Sequence, residues 1–397
     1  MDKFGFVGET TEYKLSDLFN LQMGKTPSRN NAEFWSDGEY KWISIADLTK
    51  TGKYISETKE LLSQKAIDES GIAVIPTNTV VMSFKLSIGK TAITSEDMYS
   101  NEAIMSFHDR HVTELLPEYI YYLLLAQRWD EGANKAVMGM TQNKATLSNR
   151  KVRIHSIIAQ KSIVERLDKL QKLIDDRKTQ LDELETLIKA RFVEMFGDPL
   201  AGTEKWSFQT VGDVADSVDP QPSHRTPPVV EGGIPYVSMK DCNYKNGTID
   251  FAGARKVSPD VLVEHHNRYE LHNGDFIIGK IGTIGNPIFV PKRDDYALSA
   301  NVVLIQPNSS KVSPYFLKET FESSFVERQF LDAKNSTSQA AFGIKKVRNI
   351  KIMNPDMKTQ MEFENFAIQV DKLKVEVQKS LDEMQILFDS LMQEYFG

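Results

Sequence analysis

One cysteine, Cys242, stands in a chain of 397 residues. That scarcity excludes an internal disulfide and any cysteine-based zinc cluster. No stretch approaches the roughly eighteen apolar residues of a membrane span, and the first residues, MDKFGFVGETTEYKLSDL, lack a basic run followed by an apolar one. The chain is therefore read as cytoplasmic. An excess of positive charge is also missing: 48 Lys and Arg face 55 Asp and Glu, a formal net charge of -7. The excess acid lies mostly in the last forty or so residues, and the two large blocks before and between the helices are near neutral. Any basic surface must then be made by segregating charge within a fold.

Catalytic signatures are scarce too. Gly24-Lys25-Thr26 and Gly89-Lys90-Thr91 have Phe19 and Phe84 where a phosphate loop needs its first glycine. Asn354-Pro355-Asp356-Met357 lacks the aromatic that an amino-methyltransferase stacks on a flipped base, and Cys242 follows Asp241 rather than a proline. His224, His265, His266 and His272 match no helical zinc pair and read as surface or loop histidines. No catalytic or metal-ligating residue is assigned.

What is present is a repeat. Residues 181–197, LDELETLIKARFVEMFG, and 381–397, LDEMQILFDSLMQEYFG, share seven of seventeen positions at an offset of 200, where roughly one match is expected of unrelated segments. Weaker echoes keep the same order upstream. Leu15-Ser16-Asp17-Leu18 answers Val211-Gly212-Asp213-Val214, and Pro27-Ser28 answers Pro222-Ser223. Trp42-Ile43-Ser44 answers Tyr236-Val237-Ser238, Ser87 to Lys90 answers Thr283 to Asn286, and Lys151-Val152-Arg153 answers Lys346-Val347-Arg348.

Each copy closes on a helical pattern. Ile163, Leu167, Leu170, Ile174, Leu181, Leu184, Ile188 and Met195 alternate by three and four, with Arg177 and Arg191 as polar seam positions. Phe363, Phe366, Val370, Leu373, Val377, Met384, Leu387 and Leu391 do the same, with Ser380 and Glu394 interrupting. Two seams are most simply buried against each other, and an antiparallel pairing would put the blocks at opposite ends. The predicted organisation is α+β: two similar mixed α/β domains, 1–155 and 199–355, separated by a long antiparallel two-helix coiled coil from 156–198 and 356–397.

Two polar stretches per copy are candidate nucleic-acid contacts. The loop with Lys25, Thr26, Ser28, Arg29 and Asn30 is answered by Gln221, Ser223, His224 and Arg225. Arg29 and Arg225 could each contact guanine in bidentate fashion, and Asn30 or Gln221 adenine. Thr141, Gln142, Asn143 and Lys144, answered by Ser338 and Gln339, read as a second loop rather than an element. Lys85, Lys90, Lys240 and Lys280 are candidates to neutralise phosphates.

The Thr-Pro-Ser or Gln-Pro-Ser loop, the Trp-Ile-Ser or Tyr-Val-Ser strand, the Ser-Ile-Gly-Lys type turn and the helices closing on Met-Phe-Gly-Asp or Tyr-Phe-Gly recur in one order. Over essentially the whole chain this resembles the specificity subunit of type I restriction-modification systems. The resemblance implies two target recognition domains, each reading half of a bipartite double-stranded DNA site, on a coiled coil that sets their spacing. It implies a non-catalytic chain docked by two methyltransferase subunits, with restriction subunits added. S-adenosylmethionine, ATP and Mg2+ would enter only through those partners. The outer helix faces, including Leu187, Phe192, Phe388 and Tyr395, would be available to them. Pro355-Asp356-Met357-Lys358-Thr359-Gln360 departs from the usual Ala-Glu-Gln entry to the second helix. The other reading is a coiled-coil adaptor with duplicated protein-binding domains, favoured by the acidic balance.

Overall fold

The computed structural model describes residues 9–397 except 86, 130–133, 137–138, 142–143, 204, 222, 224, 245–246, 281–284 and 336–342. The chain forms two compact units. One comprises Met1–Ile174 with Glu383–Gly397, the other Asp175–Asp382. The cuts fall inside the two long helices, so each helix gives one end to each unit.

In the first unit a five-stranded sheet runs Phe19–Met23, Ile104–Asp109, Val80–Ser83, Thr91–Thr94, Tyr54–Ile55. Its inner strands are buried at nearly every position, polar ones included, because both faces are covered: Val80, Val81, Met82 and Ser83 are all buried, as are Thr91–Thr94. Val81, Ala92 and Ile104 face a cluster with Ile43, Leu48 and Met98. A three-stranded sheet, Glu60–Leu62, Tyr40–Ile43, Tyr99–Ser100, has its middle strand antiparallel to the first and parallel to the last.

The second unit repeats this plan. Ala215–Val218, Val302–Pro307, Phe276–Gly279 and Gly285–Phe289 form the larger sheet, and Arg255–Val257, Ile234–Val237 and Ala297–Leu298 the smaller, with the same strand senses. The two-residue alternation of strands sorts its core. Phe276, Ile278, Val303 and Ile305 pack on the helical side, and Ile277, Val302 and Leu304 on the other. The copies differ where the first has the parallel strand Tyr54–Ile55 and the second a small hairpin, Cys242–Asn243 with Thr248–Ile249.

A strand pair closes each block before the helix leaves it. Thr10–Lys14 pairs with Lys151–His155, Lys14 opposite Lys151; Phe208–Thr210 pairs with Lys351–Met353, Thr210 opposite Lys351. The structural counterpart of Lys151 is therefore Lys351. Lys346-Val347-Arg348, matched to Lys151-Val152-Arg153 by residue type, lies instead in the short helix Ile344–Arg348, which answers Lys144–Ser148.

The long helices are Ile157–Phe196 and Met357–Phe396, 40 residues each and about 60 Å long. The first ends at Gly197, φ +83°, where an added Cβ would lie 2.1 Å from the Thr203 carbonyl oxygen, so only glycine makes this turn. Pairing is antiparallel within each unit. In the second unit Phe363 contacts Phe192 and Phe196, while Lys374 Nζ lies 2.6 Å from Glu185 Oε2. In the first, an Arg166 guanidinium N–H donates to the Tyr395 hydroxyl at 3.3 Å.

The first seam keeps Ile163, Leu167, Leu170, Ile174 and Ile188 buried and Leu181, Leu184 and Met195 half-buried. The second needs correction. Phe363, Val370, Val377 and Leu391 are buried and Met384 half-buried, yet Leu373 is 55% exposed, Leu387 is 39% exposed and Phe366 lies only half-buried. The inward positions next to them are Ala367, Lys374, Leu381, Phe388 and Tyr395, one residue further on in every heptad. Both registers alternate by three and four, and what each side chain meets in the fold chooses between them. Tyr395 and Phe192, expected on the outer face, are 6% and 3% exposed. Phe192 stacks on Phe316 of the recognition block, and Phe388, half-buried, meets Tyr122. Leu187 is exposed as expected.

Charge also enters the second unit's helix packing. Burial opposes the charge of Lys318, but Glu322, 2.7 Å away, and Glu319 hold its pKa above the ordinary lysine range. Burial pushes the Glu319 carboxyl up. Glu185 stays below the usual carboxylate range, against burial, because Lys374 donates to it.

Candidate nucleic-acid interface

The first polar loop is built on close backbone contact. Gly24 N–H donates to Ile104 O at 3.1 Å and Lys25 N–H to Ser100 O at 2.8 Å. A Cβ on Gly24 would lie 2.3 Å from the Ser100 and Asn101 carbonyl oxygens. This is why a glycine opens the Gly-Lys-Thr triplet: it seats a loop edge, and no phosphate loop follows it. Two indoles hold the remainder, Trp42 Nε1 donating to Lys25 O at 3.1 Å and Trp35 Nε1 to Ser28 O at 3.2 Å.

On that base Arg29 is held from two sides. Its guanidinium lies 3.7 Å over the Trp35 ring, and Nη1 and Nη2 donate to the two carboxylate oxygens of Glu60 at 2.5 and 2.9 Å. The Arg29 hydrogen bond keeps Glu60 below the usual carboxylate range. Of the five guanidinium N–H groups, two go to Glu60, and Arg29 stays half-exposed. Ser28 and Asn30 are exposed beside it. Thr26 donates its hydroxyl to Glu102, and Lys25 donates to Ser70 O.

The second loop is held by different chemistry. Asp219 accepts from the Gln221 backbone N–H at 3.3 Å and from Lys280 Nζ at 2.6 Å. Gln221 Oε1 lies 2.6 Å from His265 Nε2, and Gln221 Nε2 donates to Ser223 Oγ at 3.1 Å. His265, at the end of the helix Pro259–His266, is 1% exposed and places Nδ1 2.9 Å from the Tyr269 hydroxyl. Burial chiefly, with Arg268 nearby, pushes its pKa down to about 4, so the ring is neutral. It is thus neither a surface nor a loop histidine. Ser223 and Arg225 are exposed, and His224 lies outside the described residues.

Among the candidate phosphate contacts, Lys90 and Lys240 are exposed and Lys85 is half-buried over the Phe84 ring. Lys280 is corrected: at 5% exposure and paired with Asp219 it braces the loop from beneath and presents no charge to solvent. The second stretch is corrected in part. Gly139–Thr141 is a strand, paired with Asn134–Ala136, and Lys144 opens the helix Lys144–Ser148. The Thr141 side chain, Gln142, Asn143, Ser338 and Gln339 lie outside the described residues.

The supporting residues Trp35, Glu60 and Tyr269 were not singled out from sequence, and His265 was read only as a surface or loop histidine. Glu60 stands 31 residues from Arg29 and His265 stands 44 from Gln221, and only the fold closes those gaps. Trp42 was visible as a repeated strand position, without its role.

A family model described as the type I restriction modification DNA specificity domain matches residues 8–186 and again 203–383. The chain belongs to this family. Among specificity-family relatives, the type I restriction enzyme MjaIX specificity subunit of Methanocaldococcus jannaschii is 26% identical over 189 residues, 47% of this chain and 43% of the relative. The EcoBI specificity subunit of Escherichia coli is 19% identical over 284 residues, 63% of this chain and 58% of the relative. The matched segments thus span 43% and 58% of those relatives' lengths. The crystal structure of a type I restriction-modification S subunit from M. genitalium superposes with a TM-score of 0.58 at 13% identity, covering 100% of this chain and 98% of that one. The likeness is one of fold. Among the described residues, no helix is long and apolar enough to cross a membrane, and no group of three or more His, Cys, Asp and Glu could hold a metal ion.

Proposed function

We propose that this chain is the sequence-reading, non-catalytic subunit of a cytoplasmic type I restriction-modification complex. Each block reads one half of a bipartite double-stranded DNA target. The paired helices set the distance between the halves and dock two methyltransferase subunits, to which restriction subunits add. S-adenosylmethionine, ATP and Mg2+ act in those partners. The observation that carries this reading is that one topology occurs twice, each time with a braced polar loop bearing a base-reading type of side chain, and each time ending in a helix that pairs with the other copy's helix.

Co-expression with a type I methyltransferase subunit from the same genome, followed by mapping of methylated adenines, tests it. A two-part motif is expected, and replacing residues 199–355 by those of a relative should change one part and leave the other. Methyl transfer by the isolated chain, or DNA binding that does not weaken with salt, would refute it. The second result would favour the protein-binding adaptor.

A further inference from the structure

The loop contacts of Gln221 define what its amide can still bind. A side-chain amide carries two acceptor lone pairs and two N–H donors. One acceptor site faces His265 and one N–H goes to Ser223, which leaves one acceptor and one donor. The count is the same if the amide is turned over and the imidazole takes its other tautomer. The group behind it is fixed as well. Tyr269 accepts from the Leu298 backbone N–H at 3.4 Å and shares a hydrogen bond with His265 Nδ1, and its ring is 7% exposed. The loop backbone at Gln221 is pinned separately through Asp219 and Lys280.

An acceptor beside a donor complements one base edge in the major groove. Adenine presents the N6 amino donor and the N7 acceptor side by side; guanine presents two acceptors, cytosine a donor, and thymine an acceptor and a methyl group. We propose that Gln221 reads an adenine in the half-site recognised by the second block, and that His265, held by Tyr269, is the positioning residue that presents its amide. Among the described residues the first block has no such pair behind its loop; Arg29 stands there on Trp35 and Glu60. The two blocks therefore carry readers of different base preference. This inference rests on the DNA-reading function proposed above.

The test uses the full chain in complex with its methyltransferase subunits, and duplexes carrying the mapped motif with 7-deazaadenine replacing each adenine of the second half-site in turn. That base keeps the amino group and loses N7. The unaltered complex should lose about tenfold or more in affinity at one particular adenine, and Gln221→Ala should lose affinity for the natural duplex while becoming indifferent to the substitution there. His265→Ala, and the milder Tyr269→Phe, should relax discrimination at that same base pair and at no other. A purely structural role would lower the active fraction equally on every duplex. The proposal is overturned if Gln221→Ala keeps the full 7-deazaadenine profile, or if both relay variants weaken all duplexes alike. Sequence preference absent from every duplex would instead overturn the function itself.

Discussion

Gln160 and Gln360 make two matching hydrogen bonds at the same place in the two copies, and Gln160 adds one more, its Nε2 donating to Glu114 O at 2.9 Å. The Oε1 of Gln160 accepts from Leu116 N–H at 3.0 Å and its Nε2 donates to His155 O at 3.0 Å. Gln360 accepts from Ser313 N–H and donates to Pro355 O, each at 2.9 Å. Both side chains are buried. Each fixes the first turn of a long helix to the segment that opens the block's own helix, Pro117–Ala126 or Pro314–Glu322. The atypical residues before Gln360 therefore leave the joint intact.

Truncating Gln360 removes the partner of the buried Ser313 N–H and a donor to Pro355 O, and truncating Gln160 removes the partner of Leu116 N–H and a donor to both Glu114 O and His155 O. Gln160→Ala and Gln360→Ala should each cost about 2 kcal/mol, read as a lower denaturation midpoint. Gln160→Glu should be no better than alanine, because a carboxylate cannot donate to His155 O.

Two lysines of similar sequence appearance should behave in opposite ways. Lys90→Ala removes an exposed charge, so it should reduce the slope of log affinity against log salt by about one with little change in stability. Lys280→Ala removes the buried partner of Asp219 and should lower stability while leaving the slope unchanged. Salt titrations and thermal melts on both variants separate the roles.

Acid should destabilise the second block through His265. Its folded pKa lies near 4 because of burial, below the ordinary value of about 6.5. Between those values the unfolded chain takes up a proton that the folded chain refuses, so stability is intact above about pH 6.5 and falls as pH drops toward 4. Wild type should lose up to about 3 kcal/mol more than His265→Gln across that window. Parallel melting curves for the two proteins would rule the effect out.

The ion pair between Glu185 and Lys374 ties the two helices together in the second unit. A double-mutant cycle with Glu185→Gln and Lys374→Met should give a coupling of about 1 kcal/mol. If the two side chains did not interact, the cycle would be additive.

Much was legible without coordinates: the duplication, the two long helices and the mixed α/β blocks that precede them. These rest on local patterns, since heptad spacing, alternating strands and glycine or proline breaks act within a few residues of the chain. The details that failed depend on distant neighbours. Three-and-four spacing was satisfied equally by Phe366 and Ala367, or by Leu373 and Lys374, and the partner helix together with the recognition block selected the second of each pair. Lys280 looked like any other cation until Asp219, 61 residues away, was brought beneath it. Likewise Trp35 and Glu60 for Arg29, and His265 and Tyr269 for Gln221, are brought beside the loops by tertiary packing. Periodicity along a chain determines which elements form, while the orientation and free hydrogen-bonding capacity of a side chain are set by groups that only folding places within about 3 Å of it.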